Sequence, residues 1–455
     1  MRGALFLVLY LSMLPAALSA AHVGVMVYVW TSLISANEYV YGFLQVVPYG
    51  KLAIAVAILA ILAEKTRKKS YIDLYYILLI AFMLQCAISF AFSLTSIDRT
   101  YTLADRIWKI ALICLLMNPV LRGRLQIHSM VLVISIGMGI HGVLEGLKYL
   151  VTGGGHVMLP PANFGDNNSF GLFVLMVLPL LMYLFRYAVD PFVRLALIGS
   201  MLMSTVTIIG TGSRGAFLGF LAVTLMMIVQ SKRRITSLIV VAAVAGALAW
   251  FVPSKVYDRV DTIQTAGEDR SFMSRVVAWK LNTLVALDRP FLGGGFSSME
   301  DPKVWAAYLP KFSTLDFIPT ADPDKPRAAH SIFFQALGDT GFIGLFLYLA
   351  ILATTILTLG KIRKITVGNA PLGWAFDLAG YLRLTMIAFV VSGAALSVVF
   401  FEMPFILFTL VSVLRRTVKD ELEALGAKPA LSPPKERGAV DRPKVGVHAS
   451  LGNSF

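Results

Sequence analysis

Charge is scarce in this sequence. Only 15% of its 455 residues are Asp, Glu, Lys or Arg, where a soluble domain of that size carries about 25%. Cysteine is scarcer still: Cys86 and Cys114 are the only two, each inside an apolar run and without metal-ligand spacing. They exclude a disulfide framework and a thiolate metal site and read as packing thiols. There is no P-loop, no Gly-x-Ser-x-Gly elbow, no Cys-x-x-Cys and no His-Glu-x-x-His. Phosphate-cradling NTPase chemistry, the serine-hydrolase elbow and zincin chemistry are thereby set aside, and no metal or cofactor is expected. What is present is apolar sequence, 57% of the chain, in runs long enough to cross a bilayer. The runs are continuous and do not alternate, which points away from a transmembrane β-barrel. The expected fold is all-α, a polytopic transmembrane helical bundle.

The net charge is +14, but the cations gather in short loops, "KTRKKS" (65–70), "SKRR" (231–234) and "KIRK" (361–364). That is the positive-inside pattern of membrane topology, so no nucleic-acid partner is expected. The start, "MRGALFLVLYLSMLPAALSA", has the form of a signal peptide. Removing it would place "KTRKKS" on the wrong side, so it is read as a retained membrane segment. Anchoring the basic loops in the cytoplasm gives apolar segments 3–20, 22–36, 51–64, 71–95, 106–121, 127–150, 170–187, 193–210, 215–230, 235–252, 331–359, 378–400 and 403–414. Several are short, and the expected total is about 12 spans, range 11–13. We divide the chain into an N-terminal transmembrane region (1–190), a core (191–415) and a Pro-, Gly- and charge-rich tail (416–455) expected to be disordered and cytoplasmic.

The same threading puts three stretches on the outer face: 151–169, the turn "GTGSRG" (210–215) and the loop 253–330. The loop holds ten basic and ten acidic residues and is the only insertion large enough for structure of its own. Loops of that size are usually functional. Within it, "SFMSRVVAWKLNTLVALD" (271–288) reads as an amphipathic helix ended by Pro290 and "GGG" (293–295).

Arg214, Arg270 and Arg275 stand on the outer side, against the positive-inside rule. Snorkelling to lipid phosphates would account for any one of them; an anionic ligand would account for all three. The guanidinium fork suits a phosphate or diphosphate through paired, charge-assisted bonds. His330 closes the loop at the entry of the next apolar run. Imidazole titrates near neutrality and can act as a general base, or it can simply cap the helix. Lys325 and Arg327, if close in space, would favour its neutral form. His141 and Glu145 lie four residues apart on one membrane helix. Such a pair fits a buried structural contact or a proton relay, which leaves a proton-coupled transporter as an alternative. The "DNN" stretch (166–168) could hold a cation or a sugar hydroxyl.

Three stretches taken in order resemble the bacterial O-antigen ligase and polymerase superfamily. "GTGSRGAFLGFLAV" (210–223) resembles its Ser-Arg-Gly-Ala helix start, and "RSFMSRVVAWKLNTLVALDRPFLGGGF" (270–296) resembles its loop pattern of Arg, Trp, Asp-x-Pro and a Gly-rich turn. "AHSIFFQALGDTGFIGLFLYL" (329–349) resembles its histidine-bearing helix entry, with Ser331 where the family usually has Asn. "HVGVMVYVWTSLISANEYVYGF" and "FGDNNSFGLFVLMVLPLLMYL" resemble a subgroup associated with exosortase A systems and described as O-glycosylation ligases. The resemblance implies an inner-membrane glycosyltransferase that moves a glycan from undecaprenyl diphosphate to an acceptor hydroxyl at the periplasmic face, inverting and without a metal. It implies His330 as base and Arg214 and Arg275 as diphosphate ligands, with Arg270, Gln335 and Asn167 as further substrate-binding positions. A polymerase of the same superfamily, whose acceptor is another lipid-linked glycan, is the nearest alternative.

Overall fold

In the computed structural model of the protein, residues 2–63, 71–161, 164–231, 270–315 and 323–426 are described, with isolated positions between them at 234–236, 238, 239, 242, 246 and 320. Most of the expected segment 235–252, the start of the long loop through 269, the "KTRKKS" stretch and the tail beyond 426 lie outside the described residues.

Every regular element among the described residues is helical: α1 (Arg2–Ser19), α2 (Ala21–Leu33), α3 (Tyr49–Ala63), α4 (Leu74–Ala91), α5 (Ile97–Val120), α6 (Arg124–Val151), α7 (Asn167–Tyr187), α8 (Pro191–Gly210), α9 (Arg214–Gln230), α10 (Arg270–Asp288), α11 (Pro302–Tyr308), α12 (Ile332–Thr366), α13 (Gly373–Gly393) and α14 (Glu402–Ala424). Local sequence starts many of them. The side chains of Asp73, Asp166, Asp190, Ser213 and Ser331 each accept a backbone N–H from the first turn of α4, α7, α8, α9 and α12, satisfying a donor the helix cannot.

Among the described residues, six helices are long and apolar enough to cross a membrane: α4, α6, α7, α8, α12 and α13. The helices α1, α2, α3 and α9 are apolar but shorter, below the roughly 20 residues a straight crossing takes. Among the described residues, length and composition thus support six of the expected crossings, and most of the expected segment 235–252 lies outside them.

Chain direction sorts the helix ends into two layers. In one layer the end of α7 meets the start of α13, where Arg186 pairs with Asp377 at 2.6 Å and the Tyr187 hydroxyl donates to Asp377 at 2.8 Å. There too Arg363 near the end of α12 donates to Gln230 at the end of α9, at 3.3 Å. Ser231 and the stretch "KIRK" belong to this layer. The opposite layer collects the starts of α7, α9, α12 and α14, and with them Asp166, Arg214, His330 and Glu402. Between the layers, α6 and α8 approach closely because Gly142 and Gly146 lack side chains: a Cβ on Gly146 would sit 2.3 Å from the Met203 carbonyl oxygen.

The tail begins later than expected. The helix α14 runs on to Ala424, with Thr417, Val418 and Leu422 buried on one face. The buried Arg416 guanidinium donates to the Asn118 carbonyl at 2.6 Å and to the Leu121 carbonyl. An amphipathic stripe and a buried guanidinium bonded to two backbone carbonyls hold these residues to the end of α5, a tertiary effect that composition alone does not register.

The long loop has a core of its own. Val277, Leu281, Leu284 and Val285 of α10 pack with Met299, Val304, Tyr308 and Phe312. The Gly-rich turn does more than stop α10. At Gly341 the helix α12 breaks, with φ 69°, and the carbonyls of Gly338 and Asp339 accept the N–H groups of Gly294 and Gly295 at 2.8 and 3.1 Å. A Cβ on Gly341 would meet the Pro290 carbonyl oxygen at 2.6 Å. The turn 290–295 is therefore docked into the break, and α10 is fixed against the first turns of α12. Trp279 of α10 stacks on Phe334 of α12, ring centroids 5.0 Å apart and nearly parallel.

Candidate functional site

His330 stands one residue before Ser331, the N-cap of α12. Ser331 behind it caps the helix, its hydroxyl accepting the Phe333 N–H. His330 itself has left-handed backbone geometry, φ 45°, which costs a non-glycine residue about 1–2 kcal/mol. Its N–H donates to the Ser397 hydroxyl at 2.7 Å. Ser397 lies in the connection between α13 and α14, and the same connection is held by Gln335, whose Oε1 accepts the Val399 N–H at 3.0 Å. Two hydrogen bonds thus tie the histidine and the first turn of α12 to one short segment.

Around the imidazole stand charges from three other elements. Burial pushes the His330 pKa below the usual imidazole value; Arg275 and Arg327 push it further down, and Asp166 opposes them. Arg275, on α10, is also held below the ordinary guanidinium range, first by burial and then by Arg214, with Asp166 again opposing. Asp166 caps α7, accepting the Ser169 N–H at 2.8 Å, and Arg214 is the first residue of α9. The cluster therefore sits where three helices begin, and helix N-termini carry partial positive charge that favours anions. Arg327 braces it from the loop: its guanidinium donates to Ser274 at 2.7 Å and pairs with Asp324. The net character is cationic, with a half-buried imidazole at its edge whose protonation is disfavoured. Such an arrangement suits an anion held beside a proton acceptor.

The fold thus brings His330, Arg275 and Arg214 into one electrostatic neighbourhood. Asn167, half-buried, follows Asp166 at the start of α7. Gln335 is buried and engaged with Val399 rather than presented to a ligand. Arg270 opens α10, and its side chain lies outside the described residues. Ser397 and Trp279 are not among the sequence-based site residues, and Asp166 is there only as part of "DNN", a possible cation or sugar site. Asp166 carried a local signal, as a capping residue inside "DNN"; Ser397 carried none.

His141 and Glu145 do not bond each other. His141 Nε2 lies 3.1 Å from the Ile34 carbonyl. Glu145 is engaged by Lys148 at 2.6 Å, His156 at 2.7 Å and the Leu159 N–H at 3.2 Å. Spacing allowed the pair, but each partner is bound from another element.

Fold and site together define a helical membrane protein with a cationic, histidine-bearing cluster at one end of its bundle. Residues 199–349 match the family model described as O-Antigen ligase. That stretch contains Arg214, Arg275, His330 and Gln335, and the match supports a place in the O-antigen ligase superfamily and a membrane glycan ligase- or polymerase-like role. Residues 1–189 match a family of unknown function. A search of curated proteins gave no match.

Proposed function

We propose that the protein is a glycosyltransferase of the inner membrane that moves a glycan from undecaprenyl diphosphate to an acceptor hydroxyl at the periplasmic face. The reading is carried by one observation: the imidazole of His330 shares a half-buried, cationic neighbourhood with Arg275 and, through it, Arg214. On this reading the bundle crosses about 12 times, the shorter apolar helices included. The cluster and the loop 253–330 face the periplasm, and residues 1–190, 191–415 and the tail form the N-terminal region, the catalytic core and a cytoplasmic extension. The "KIRK" layer then faces the cytoplasm, as the positive-inside rule asks.

Chemically, the diphosphate is bound by Arg214 and Arg275, with Arg270 at the entrance of α10. The acceptor oxygen forms a bond to the anomeric carbon as the bond from that carbon to the phosphate oxygen breaks on the opposite face. The acceptor's proton passes to the His330 imidazole, and the lipid diphosphate departs as an anion that needs no protonation. Arginines beside the developing charge stabilise it as oxyanion donors do, and base assistance contributes a factor of about 10² to 10⁴. The downward push on the His330 pKa keeps the imidazole neutral, and hence able to accept, at physiological pH. Association with exosortase A systems belongs to the same reading.

His330→Ala, reconstituted with purified lipid-linked donor, should lose at least a hundredfold in transfer while remaining folded. Full activity in a stable variant removes the base assignment. Product length in the same assay separates a ligase, with one transfer per acceptor, from a polymerase, with a ladder of repeat units.

A further inference from the structure

A second site lies in the same layer of the bundle, between the N-terminal region and α14. It consists of two adjoining spaces. One is a polar cavity of about 320 Å³ bounded by α2, α3, α5 and the start of α14, and lined in part by Lys51, Asp105, Arg106, Lys109, Phe401 and Glu402. The other is an apolar groove of about 540 Å³ between α4 and α5, with walls including Ile80, Leu84, Trp108 and Leu115. Asp105 lines both, so the spaces are neighbours across this residue. The Trp108 indole N–H donates to its carboxylate at 2.9 Å and holds the ring at the junction.

The chemistry of the cavity is mixed. Glu402 accepts from the Tyr28 hydroxyl at 2.9 Å and from Ser32. Lys51 and Lys109 both face Asp105, Lys51 at 3.6 Å. Arg106 lies with its guanidinium carbon 5.0 Å from the Phe401 ring centroid and, among the described residues, makes no ion pair within 4.0 Å. Three cations and two carboxylates leave one net positive charge, and any phosphate placed there meets Glu402 and Asp105 as well as the cations. Hydroxyl groups, which donate to carboxylates and accept from guanidinium and ammonium, match this set, and aromatic walls give a sugar ring its apolar faces. Apart from Asp105, Tyr101 and the Trp108 indole N–H the groove is apolar, and Leu84 and Trp108 on its rim are exposed on the bundle surface, where a membrane helix meets lipid.

We infer that these two spaces form one binding site for an amphiphile with an uncharged saccharide head, the head in the polar cavity and its hydrocarbon chain in the groove between α4 and α5. The two carboxylates in the cavity, which accept from hydroxyls and repel a phosphate, and its adjacency to the groove at Asp105 select this occupant over a bulk phospholipid. The cavity adjoins the His330 cluster: Phe164, on its wall, is two residues from Asp166, and Phe401 ends the connection that carries Ser397. That the amphiphile is the acceptor rests on the proposed transfer reaction; its binding does not.

The test uses the full chain in phosphatidylcholine nanodiscs and a dodecyl maltoside carrying two bromines on its chain, which quench tryptophan on contact. Saturable quenching is expected, absent in Trp108→Phe, with Glu402→Gln weakening affinity at least tenfold. Should Glu402→Gln misfold, Arg106→Gln on the opposite wall should weaken it at least threefold. His330→Ala should leave affinity unchanged. Quenching that never saturates, that persists in Trp108→Phe, or that brominated phosphatidylcholine reproduces with the same saturation overturns the inference. Loss of maltoside binding in a protein that still needs His330 for transfer sinks this site alone; intact binding with transfer indifferent to His330 sinks the transfer reading alone.

Discussion

Replacing Ser397 by alanine should slow transfer without touching any residue that meets substrate. The Ser397 hydroxyl accepts the His330 N–H at 2.7 Å, and His330 sits at φ 45°. A non-glycine residue in that conformation costs about 1–2 kcal/mol and needs surrounding structure to hold it. Deleting the acceptor leaves a partly buried N–H unsatisfied, a penalty of about 1–3 kcal/mol. The chain escapes that penalty by letting His330 relax towards an ordinary backbone, which carries the imidazole away from Arg275. If the whole penalty must be met again to reach the reactive geometry, at 1.36 kcal/mol per factor of ten kcat falls by about 5- to 160-fold. The assay is steady-state transfer in proteoliposomes with defined lipid-linked donor. The expected pattern is a lowered kcat with the KM for donor within twofold, since Arg214 and Arg275 are untouched. Ser397→Thr, which keeps the hydroxyl, should recover most of the rate. A Ser397→Ala protein with parental kcat, or a loss that Ser397→Thr fails to rescue while both fold normally, refutes the positioning role.

Three further outcomes follow from the geometry. Asp166 opposes the depression of the His330 pKa, and asparagine caps helices as well as aspartate does. Asp166→Asn should therefore leave α7 intact and make His330 harder to protonate, moving the acidic limb of the pH–rate profile to lower pH; a limb that stays or moves up contradicts the assignment. Arg275→Lys keeps the charge and loses the fork, so the KM for donor should rise about tenfold, and an unchanged KM argues against paired phosphate bonds. Gly146→Ala would place a methyl 2.3 Å from the Met203 carbonyl oxygen, where backbone has to shift, at a cost of about 1–3 kcal/mol. A thermal melt should show a drop of several degrees, whereas Gly199→Ala in α8, which meets nothing within 4 Å, should show none.

Much of the helical layout was legible in order and in approximate bounds. The expected segment 193–210 is α8 at Pro191–Gly210, 170–187 is α7 at Asn167–Tyr187, and the amphipathic helix expected at 271–288 is α10 at Arg270–Asp288. These elements are specified locally, by apolar runs and by capping side chains a few residues away. The extension of α14 past 415 was not legible, because Arg416 and Val418 are held by α5 and not by their neighbours in sequence. The Gly-rich turn was read as a helix stop; its docking into the break at Gly341 depends on carbonyls some forty residues further along the chain.

The sequence by itself determined a helical membrane protein, the ends of many of its helices, and the residue types at the candidate site, since apolar length, capping and charge placement act over a few residues. Only the tertiary structure decided that Asp166 joins His330 and Arg275, that Ser397 holds the histidine in its strained turn, and that His141 and Glu145 part company. Those contacts join segments far apart in the chain, and a side chain's polar partner there is chosen by how helices pack, which no local pattern encodes.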